Sequence, residues 1–313
     1  MTYPQFSGSM VALVTPFRNG QVDEAALEKL LNWHQEQGTQ AVVLAGSTGE
    51  GNLLTFSERA RILGLARDIL PASFPLIVAC GQPSTQATLD HMKQAQRHGA
   101  DAALVVSPFY VKPSQEGLCQ HFETLSNSSD LPIILYNHPG RTGVDISVDT
   151  VIHLSQQPTI VGIKDSHPDL SRVGAIKRRA AQDFSVLCGD DPVTASYLSS
   201  GGDGCISVVA NIVPRLHREF LDAWESKEME DFLFIRDTLL PLNTALSLDG
   251  NPSAVKAALS LMGKIEDGLR LPLLPASAKT KQALTSVLST MGLLDQLEHH
   301  PLSKTVNLGL LSA

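Results

Sequence analysis

The stretch TIVGIKDS, residues 159–166, contains the residue that most constrains both fold and chemistry, Lys164. An apolar, β-branched run ends at this lysine and loop residues follow, a pattern typical of a buried strand whose last side chain emerges at a loop. Apolar surroundings disfavour a charged ammonium, so such a lysine can act as the neutral nucleophile that imine formation requires. Taken alone, the stretch is more typical of a strand-end lysine that extends to water than of a catalytic lysine. The rest of the chain decides between the two.

Eight short apolar runs of strand length alternate with amphipathic segments along most of the chain. The candidate strands cover residues 10–16, 41–46, 76–81, 102–107, 132–137, 160–164, 185–189 and 205–210. The candidate helices between them include residues 23–37, 57–69, 84–98, 114–126 and 169–181. Near-continuous apolar strands, as opposed to alternating ones, indicate a parallel sheet covered on its outer face. Eight such strand–helix units predict a (β/α)8 TIM barrel in the α/β class.

The last part of the chain has a different character. Residues 225–240, 252–262 and 279–294 read as helices, and no strand pattern remains there. We therefore predict two regions, a catalytic barrel over residues 1–224 and a C-terminal helical region over residues 225–313. No flexible linker separates them, so the helical region reads as an extension of the barrel.

Charge and hydropathy exclude several classes of function. The 313-residue chain has a formal net charge of −8, which argues against a nucleic-acid-binding surface because that requires a clustered basic face. No run is long and apolar enough to predict a membrane span. The first residues, MTYPQ, lack the basic region and apolar core of a signal peptide. The expected location is the cytoplasm.

The four cysteines, at positions 80, 119, 188 and 205, are scattered without a paired short spacing. Three lie in apolar strand-like runs, where a free cysteine behaves as a small hydrophobic residue. The ten histidines give no HExxH pattern. The sequence therefore predicts neither a disulfide nor a metal site.

A barrel would bring several polar strand ends to one mouth. Active sites of this architecture lie at the carboxyl ends of the strands. Lys164 ends the sixth candidate strand, Tyr136 lies at the end of the fifth, residues 46–50 (GSTGE) follow the second and residues 107–110 (SPFY) follow the fourth. These residues are expected to line a common site.

These residues resemble the dihydrodipicolinate synthase/N-acetylneuraminate lyase family. The resemblance rests on residues 46–50 (GSTGE), 136–143 (YNHPGRTG) and 162–165 (GIKD), supported by residues 107–110 (SPFY) and 204–207 (GCIS). Each motif is weak alone, but their order and spacing together are specific, and the helical C-terminal region also fits.

The resemblance implies a role for each of these residues. Lys164 would form an imine with pyruvate or another 2-oxo acid, and Tyr136 would transfer protons. The glycine-flanked turn at Ser47 and Thr48 is suited to hold a carboxylate through backbone N–H groups. Thr48 and Tyr110 match the remaining members of a hydroxyl relay to solvent. In the family, the tyrosine that corresponds to Tyr110 reaches into the active site of a neighbouring subunit. The resemblance therefore implies a homo-oligomer, either a dimer or a tetramer. Neither a metal nor an organic cofactor is implied, because the imine itself is the electron sink.

The substrate-binding residues implied by the resemblance are Thr48, Arg141, Ile206 and Gly189. Ser47 departs from the threonine usual in the synthase branch, and a serine–threonine pair is more typical of the lyases. Arg141 favours the synthase branch, because a planar guanidinium at this position can bind a second substrate's carboxylate in a bidentate manner. We give Arg141 more weight, since serine and threonine share one chemistry.

The resulting hypothesis is a synthase that condenses pyruvate with L-aspartate-4-semialdehyde to 4-hydroxy-tetrahydrodipicolinate, on the route to lysine and diaminopimelate. The alternative is another pyruvate-dependent class I aldolase, lyase or dehydratase of the family, acting on a sugar acid or a hydroxyproline-derived acid. A third hypothesis from another class is a barrel that only binds a 2-oxo acid as a sensor. Covalent capture of pyruvate would separate an enzyme from a sensor.

The resemblance also bears on regulation. Members inhibited by lysine bind it at a subunit interface through histidine, glutamate and a tyrosine that directly precedes the relay tyrosine. Here the preceding residue is Phe109, Phe56 and Arg59 stand where histidines often occur, and residues 82–88 contain no carboxylate. An ammonium ligand without an anionic partner loses hydration with little return. Weak or absent feedback by lysine is expected.

Overall fold

The computed structural model describes residues 6–294, and its centre is a closed barrel of eight parallel strands. Each strand pairs with the next along the chain, and the first also pairs with the last, which closes the barrel. The barrel strands are β1 (Gly8–Ala12), β2 (Ala41–Leu44), β3 (Leu76–Ala79), β4 (Ala102–Val106), β5 (Ile133–Asn137), β6 (Ile160–Asp165), β7 (Ser185–Cys188) and β8 (Gly204–Ser207). The predicted TIM barrel is confirmed.

Helices follow the strands and cover the outside of the barrel. They are α1 (Glu24–Glu36), α2 (Phe56–Ile69), α3 (Thr85–Arg97), α4 (Gln115–Ser128), α5 (Val148–Leu154), α6 (Ser171–Arg179), α7 (Thr194–Ser199) and α8 (Pro214–Glu225). A one-turn helix, Pro139–Thr142, lies between β5 and α5. Short 3₁₀ turns occur at Gly51–Leu53, Asp191–Val193 and Val209–Asn211.

Side-chain caps fix where several of these helices begin. Ser114 accepts a hydrogen bond from the Gly117 N–H and caps α4, at the predicted start of this helix. The helix α2 begins one residue before the predicted range of residues 57–69, because Thr55 is its cap. Thr55 and Glu58 form a reciprocal capping box, which satisfies two N–H groups at once and so favours the earlier start.

The core has two layers, as expected for strands buried on both faces. Inside the barrel, inward-facing residues pack together, among them Met10, Ile77, Leu104, Ile134 and Ile206. A larger cluster fills the space between the outer face of the strands and the helices. This explains why the strands read as nearly continuous apolar runs.

The first strand lies earlier in the chain than predicted. It was expected over residues 10–16 but is observed at Gly8–Ala12. After it, the Val14 N–H donates to the side chain of Asn211 at 3.1 Å instead of to a strand. The chain then forms a small hairpin, Phe17–Arg18 paired with Gln21–Val22, that the sequence reading did not anticipate.

Three helices follow the barrel: α9 (Met229–Leu246), α10 (Ser253–Leu261) and α11 (Ala278–Thr290). The predicted helix over residues 225–240 begins later, because Glu225 ends α8, and it continues through Pro241 to Leu246. Phe232 of α9 stacks on Phe220 of α8 with ring centroids 4.8 Å apart. The division of the chain at residue 224 stays a prediction, and residues 295–313 lie outside the described part.

No helix within residues 6–294 is both long enough and apolar enough to cross a membrane.

Candidate active site

A cavity of about 240 Å³ opens at the carboxyl ends of the barrel strands. Six of the eight residues singled out from the sequence line it, and these are Ser47, Thr48, Tyr136, Arg141, Lys164 and Gly189. They come from four strand ends that are distant in sequence. The barrel therefore brings together a lysine, a phenol, two hydroxyls and a guanidinium around one space.

Lys164 and Tyr136 form the centre of this cavity. They are partners in the register of the neighbouring strands β6 and β5. The Lys164 Nζ lies 4.6 Å from the centre of the Tyr136 ring, and both residues are buried. A small carbonyl compound that reaches the amine therefore also meets the phenol.

Gly189 provides the space for the lysine side chain. A Cβ atom at this position would lie 2.2 Å from the Ser166 Oγ and 3.0 Å from the Lys164 Cε. The Gly189 N–H donates to the carbonyl of Asp165 at 3.0 Å, so the backbone cannot easily retreat. Only glycine fits here without moving the lysine.

The turn after β2 places Ser47 and Thr48 at the mouth. Ser47 is exposed, whereas Thr48 is buried. Ala45 and Glu50, on either side, adopt left-handed backbone angles with φ of 53°. Gly51 closes the turn, since a Cβ there would lie 1.7 Å from the Ala45 carbonyl oxygen. This strained loop holds the two hydroxyl residues against the cavity.

Asn251, which precedes α10, is a lining residue that the sequence reading missed. Its Nδ2 donates to the Thr48 Oγ1 at 2.9 Å, and its carbonyl accepts from the Arg141 Nη2 at 3.3 Å. The C-terminal region thus contributes directly to the cavity. An Asn-Pro pair in the sequence signals a turn, but nothing local indicates which barrel loop it contacts.

His138 also lines the cavity, next to Tyr136 and Arg141. Burial, followed by the nearby charges of Arg141 and Lys164, lowers the pKa of this histidine to about 4. The imidazole is therefore neutral at neutral pH and adds no further positive charge to the site.

Asp190 adds a carboxylate to the lining of the cavity. Burial, and secondarily the neighbouring Asp191, raises the pKa of Asp190, while Lys164 opposes that change. The sequence reading did not include this residue.

Tyr110 and Ile206 are not among the residues that line the cavity. Tyr110 is 90% exposed and has a left-handed backbone with φ of 71°, which is unusual for an aromatic residue. Ile206 on β8 is buried in the interior of the barrel, beneath the mouth. Their predicted roles stay predictions.

A buried polar network supports β5 and β6 from behind. Asn137 donates to Asp145 at 2.8 Å and to Asp165 at 3.0 Å. Arg172 of α6 bridges Asp165 and Asp145 at 3.2 Å each and donates to the Ile146 carbonyl. Because Asp165 directly follows Lys164, this network fixes the strand end that carries the lysine.

A second network ties the C-terminal region to the loop after β2. Lys256 of α10 forms an ion pair with Glu50, both side chains being fully buried, and also donates to the Gly268 carbonyl at 2.7 Å. The Arg270 N–H donates to Glu50 at 3.0 Å. Burial lowers the pKa of Lys256, and the carboxylate of Glu50 opposes that effect.

Arg59 is a buried cation at the rim of the cavity. Its guanidinium donates to the carbonyls of Ala79 and Gly51, and no carboxylate of residues 6–294 forms an ion pair with it. Burial lowers its pKa. Any ligand entering from this side meets a positive charge.

A closed parallel barrel whose strand ends surround a lysine and polar groups is the architecture of a TIM-barrel enzyme. The family model described as "Dihydrodipicolinate synthetase family" matches residues 5–291. The chain therefore belongs to the dihydrodipicolinate synthetase family.

Curated relatives and solved structures agree with this assignment. The chain is 42% identical over 289 residues to 4-hydroxy-tetrahydrodipicolinate synthase of Thermodesulfovibrio yellowstonii, covering 92% of this chain and 99% of the relative. It is 39% identical over 291 residues to the synthase of Bradyrhizobium diazoefficiens, with coverages of 93% and 98%. The crystal structure of dihydrodipicolinate synthase from Thermotoga maritima matches with a TM-score of 0.91 and 41% identity, covering 93% of this chain and all of that one.

Proposed function

We propose that this protein is a 4-hydroxy-tetrahydrodipicolinate synthase, a lyase that condenses pyruvate with L-aspartate-4-semialdehyde through an imine on Lys164. The observation that carries the proposal is the register of Lys164 and Tyr136, which brings an amine and a phenol side by side in the same cavity. The activity is the one named for relatives about 40% identical over nearly their whole length. The alternative among sugar-acid or hydroxyproline-derived substrates is not favoured.

The reaction begins at the Lys164 Nζ. The amine adds to the C2 carbonyl of pyruvate, and loss of water gives a protonated imine. This cation withdraws electrons from the C3 methyl group, which releases a proton to give an enamine. The enamine carbon then attacks the aldehyde carbon of the second substrate and forms the new carbon–carbon bond.

Tyr136 is proposed to move the protons of these steps. Its phenol lies beside the lysine, where it can take a proton from the adding amine and give one to the new alkoxide. Thr48 and Tyr110 would connect it to solvent. The Asn251 amide, donating to the Thr48 Oγ1, supports this arrangement because it leaves the threonine hydroxyl proton free to point into the cavity.

The carboxylates of the two substrates need separate binding groups. Backbone N–H groups of the Ser47–Thr48 turn are proposed to hold the pyruvate carboxylate, and Arg141 that of the semialdehyde. Arg141 lines the cavity, is exposed to solvent and donates to the Asn251 carbonyl. After bond formation, the semialdehyde's amino group attacks the imine carbon, closes the ring and frees Lys164.

The active form is proposed to be a homo-oligomer, either a dimer or a tetramer. Support comes from Tyr110, whose side chain is exposed at the end of a strained loop together with Val111, which is 58% exposed. A neighbouring subunit would cover both side chains and receive the Tyr110 hydroxyl in its relay. The cytoplasmic location stays a prediction.

A side-by-side assay tests the substrate assignment. Purified enzyme is given pyruvate with L-aspartate-4-semialdehyde, or with neutral sugar aldehydes, and pyruvate consumption is followed. We expect turnover with the semialdehyde to exceed that with every sugar aldehyde. Faster turnover with a sugar aldehyde would overturn the assignment in favour of a lyase, and no turnover with any aldehyde would favour a sensor.

A further inference from the structure

A second cluster of side chains that can bind a metal lies outside the residues that line the catalytic cavity, beside β7 and β8. It consists of Asp191, in the turn after β7, Cys205 on β8 and His217 on α8. One ligand atom from each residue lies within 4.8 Å of the other two. The His217 Nε2 is 3.6 Å and the Cys205 Sγ 3.9 Å from the Asp191 Oδ1.

His217 presents a nitrogen without a partner to this cluster. The residue is only 2% exposed, and its Nε2 has no hydrogen-bond partner among the described residues. Its other ring nitrogen, Nδ1, lies 2.7 Å from the Ser9 Oγ. When Nδ1 carries the ring proton and donates it to Ser9, the Nε2 lone pair is directed at the cluster.

The other two ligand atoms are held in place from outside the cluster. The Asp191 Oδ2 accepts from the Val208 and Val209 N–H groups at 2.8 and 3.1 Å, and the Ser207 hydroxyl donates to Oδ1. The Cys205 Sγ accepts from the Thr194 Oγ1 at 3.4 Å, a contact that also stabilises a thiolate. Metal ligands in proteins characteristically have such outer hydrogen bonds.

A cavity of about 270 Å³ adjoins the cluster, lined by Asp191, His217 and Asn243 among others. The Asn243 Oδ1 is likewise buried without a hydrogen-bond partner in the described residues. This space gives an ion a path of entry and a place for a water or the Asn243 oxygen as a fourth ligand. The serine–histidine–aspartate order could also suggest a hydrolase, but Ser9 is fully buried and no substrate could reach it.

We propose that Asp191, Cys205 and His217 form a binding site for a divalent transition metal of the zinc type. Nitrogen, sulfur and oxygen donors in a tetrahedral zinc site lie about 3.3–3.8 Å from one another, since the bonds are about 2.0–2.3 Å long. The two contacts to Asp191 already fall at or near this range. The ion closes the site by drawing the thiolate and the imidazole together, and the thiol proton leaves to solvent.

Cobalt(II) is the probe because its absorption spectrum reports on its ligands. A thiolate ligand gives a sulfur-to-cobalt charge-transfer band, and tetrahedral coordination gives intense visible absorption. The full-length protein is first treated with a chelator and then titrated with Co²⁺. We expect one equivalent per chain with a sulfur-to-cobalt band, and displacement of the cobalt by Zn²⁺. Absence of stoichiometric cobalt binding by the wild-type protein would overturn the proposal.

Variants assign the ligands. Cys205→Ser should lose the charge-transfer band, and His217→Asn, which retains a polar partner for Ser9, should weaken cobalt binding at least tenfold. Ser9→Ala removes only the outer hydrogen bond and should weaken binding about 10–100-fold. Cys119→Ser, on α4, is the control and should leave spectrum and affinity unchanged. A band that survives in Cys205→Ser or disappears in Cys119→Ser would show that cobalt binds elsewhere, and circular dichroism of each variant confirms that it is folded.

Discussion

Tyr136 and Lys164 face each other as register partners on β5 and β6, with the lysine Nζ 4.6 Å from the centre of the tyrosine ring. Adjacent parallel strands fix this pairing through their hydrogen-bond ladder, so it does not depend on a mobile loop. The network of Asn137, Asp145, Asp165 and Arg172 holds the same strand ends from behind. The amine and the phenol are therefore positioned before any substrate binds, which is the condition for efficient proton transfer.

Gly189→Ala is predicted to impair imine formation without unfolding the protein. The new methyl group would meet the Ser166 Oγ and the Lys164 Cε, and would push the lysine away from its place beside Tyr136. We expect kcat/KM for pyruvate to fall by about 100-fold, as a displacement of about 1 Å can cause. Steady-state kinetics measure the effect.

The matched control for this variant is Gly174→Ala on α6. A Cβ there lies 3.7 Å from the Ser200 carbonyl oxygen, an ordinary contact far from the lysine. Its kinetics should equal those of the wild type. Equal kinetics for both glycine variants would show that Gly189 does not shape the site.

Arg141→Ala is predicted to weaken the binding of the second substrate, L-aspartate-4-semialdehyde, and to leave the binding of pyruvate nearly unchanged. If its guanidinium binds the carboxylate of aspartate semialdehyde, loss of this charge-assisted contact costs about 1.5–3 kcal/mol. The KM for the semialdehyde should therefore rise far more than the KM for pyruvate. Arg141→Lys is the matched variant, because it keeps the charge but loses the planar fork of the guanidinium. Its KM for the semialdehyde should lie between the values of the wild type and of Arg141→Ala. An unchanged KM for the semialdehyde in Arg141→Ala would contradict this role.

The buried pair of Glu50 and Lys256 is predicted to matter for stability. Removing one partner leaves a buried charge without compensation, so Glu50→Gln should lower the free energy of unfolding by about 3–5 kcal/mol. Replacing both partners, as in Glu50→Leu with Lys256→Met, should cost less than the sum of the single changes. Equilibrium denaturation in urea measures both quantities. Glu24→Gln, which breaks the exposed pair with Arg61, is the control and should change little.

Inhibition by L-lysine is predicted to be weak or absent. Arg59, which stands where the resemblance implies a histidine, is a buried cation and offers no acceptor to an ammonium ligand, and the Glu50 carboxylate is already paired with Lys256. Phe109, which lines a neighbouring cavity, offers no hydroxyl. The test is the enzyme's activity measured at increasing concentrations of L-lysine. The variant Phe109→Tyr, which supplies the hydroxyl and keeps Arg59, is measured in the same way for comparison. Strong inhibition of the wild type at sub-millimolar lysine would contradict the prediction.

The fold could be predicted because its signal is local and repeated. Eight apolar runs separated by amphipathic segments leave few architectures, and the strand ends fell within a few residues of the observed ones. The exceptions have non-local causes. The first strand ends at Ala12 because Asn211, about 200 residues away, binds the Val14 N–H. The helix α9 passes through Pro241 because buried neighbours such as Leu239 and Leu242 hold it in place.

The candidate site was predictable only where a residue sits at a strand end or in a motif. Lys164, Tyr136, Thr48 and Arg141 carry such signals. Asn251 does not, because its contact with Thr48 spans 203 positions in the sequence. The same limitation applies to Asp191, Cys205 and His217, whose spacing matches no metal motif although the barrel wall brings them together. The prediction of no metal site rested on the spacing of the cysteines and histidines and on the apolar runs around three of the cysteines, and neither observation reports which side chains meet in the fold.

The central claim is that the Lys164 Nζ forms the imine with pyruvate. Borohydride reduction in the presence of pyruvate, followed by mass spectrometry, tests it most directly. We expect one pyruvate-derived adduct per chain, located on Lys164 and absent from Lys164→Ala, with the variant still folded by circular dichroism. An adduct on another lysine, or an undiminished adduct in Lys164→Ala, would contradict the account.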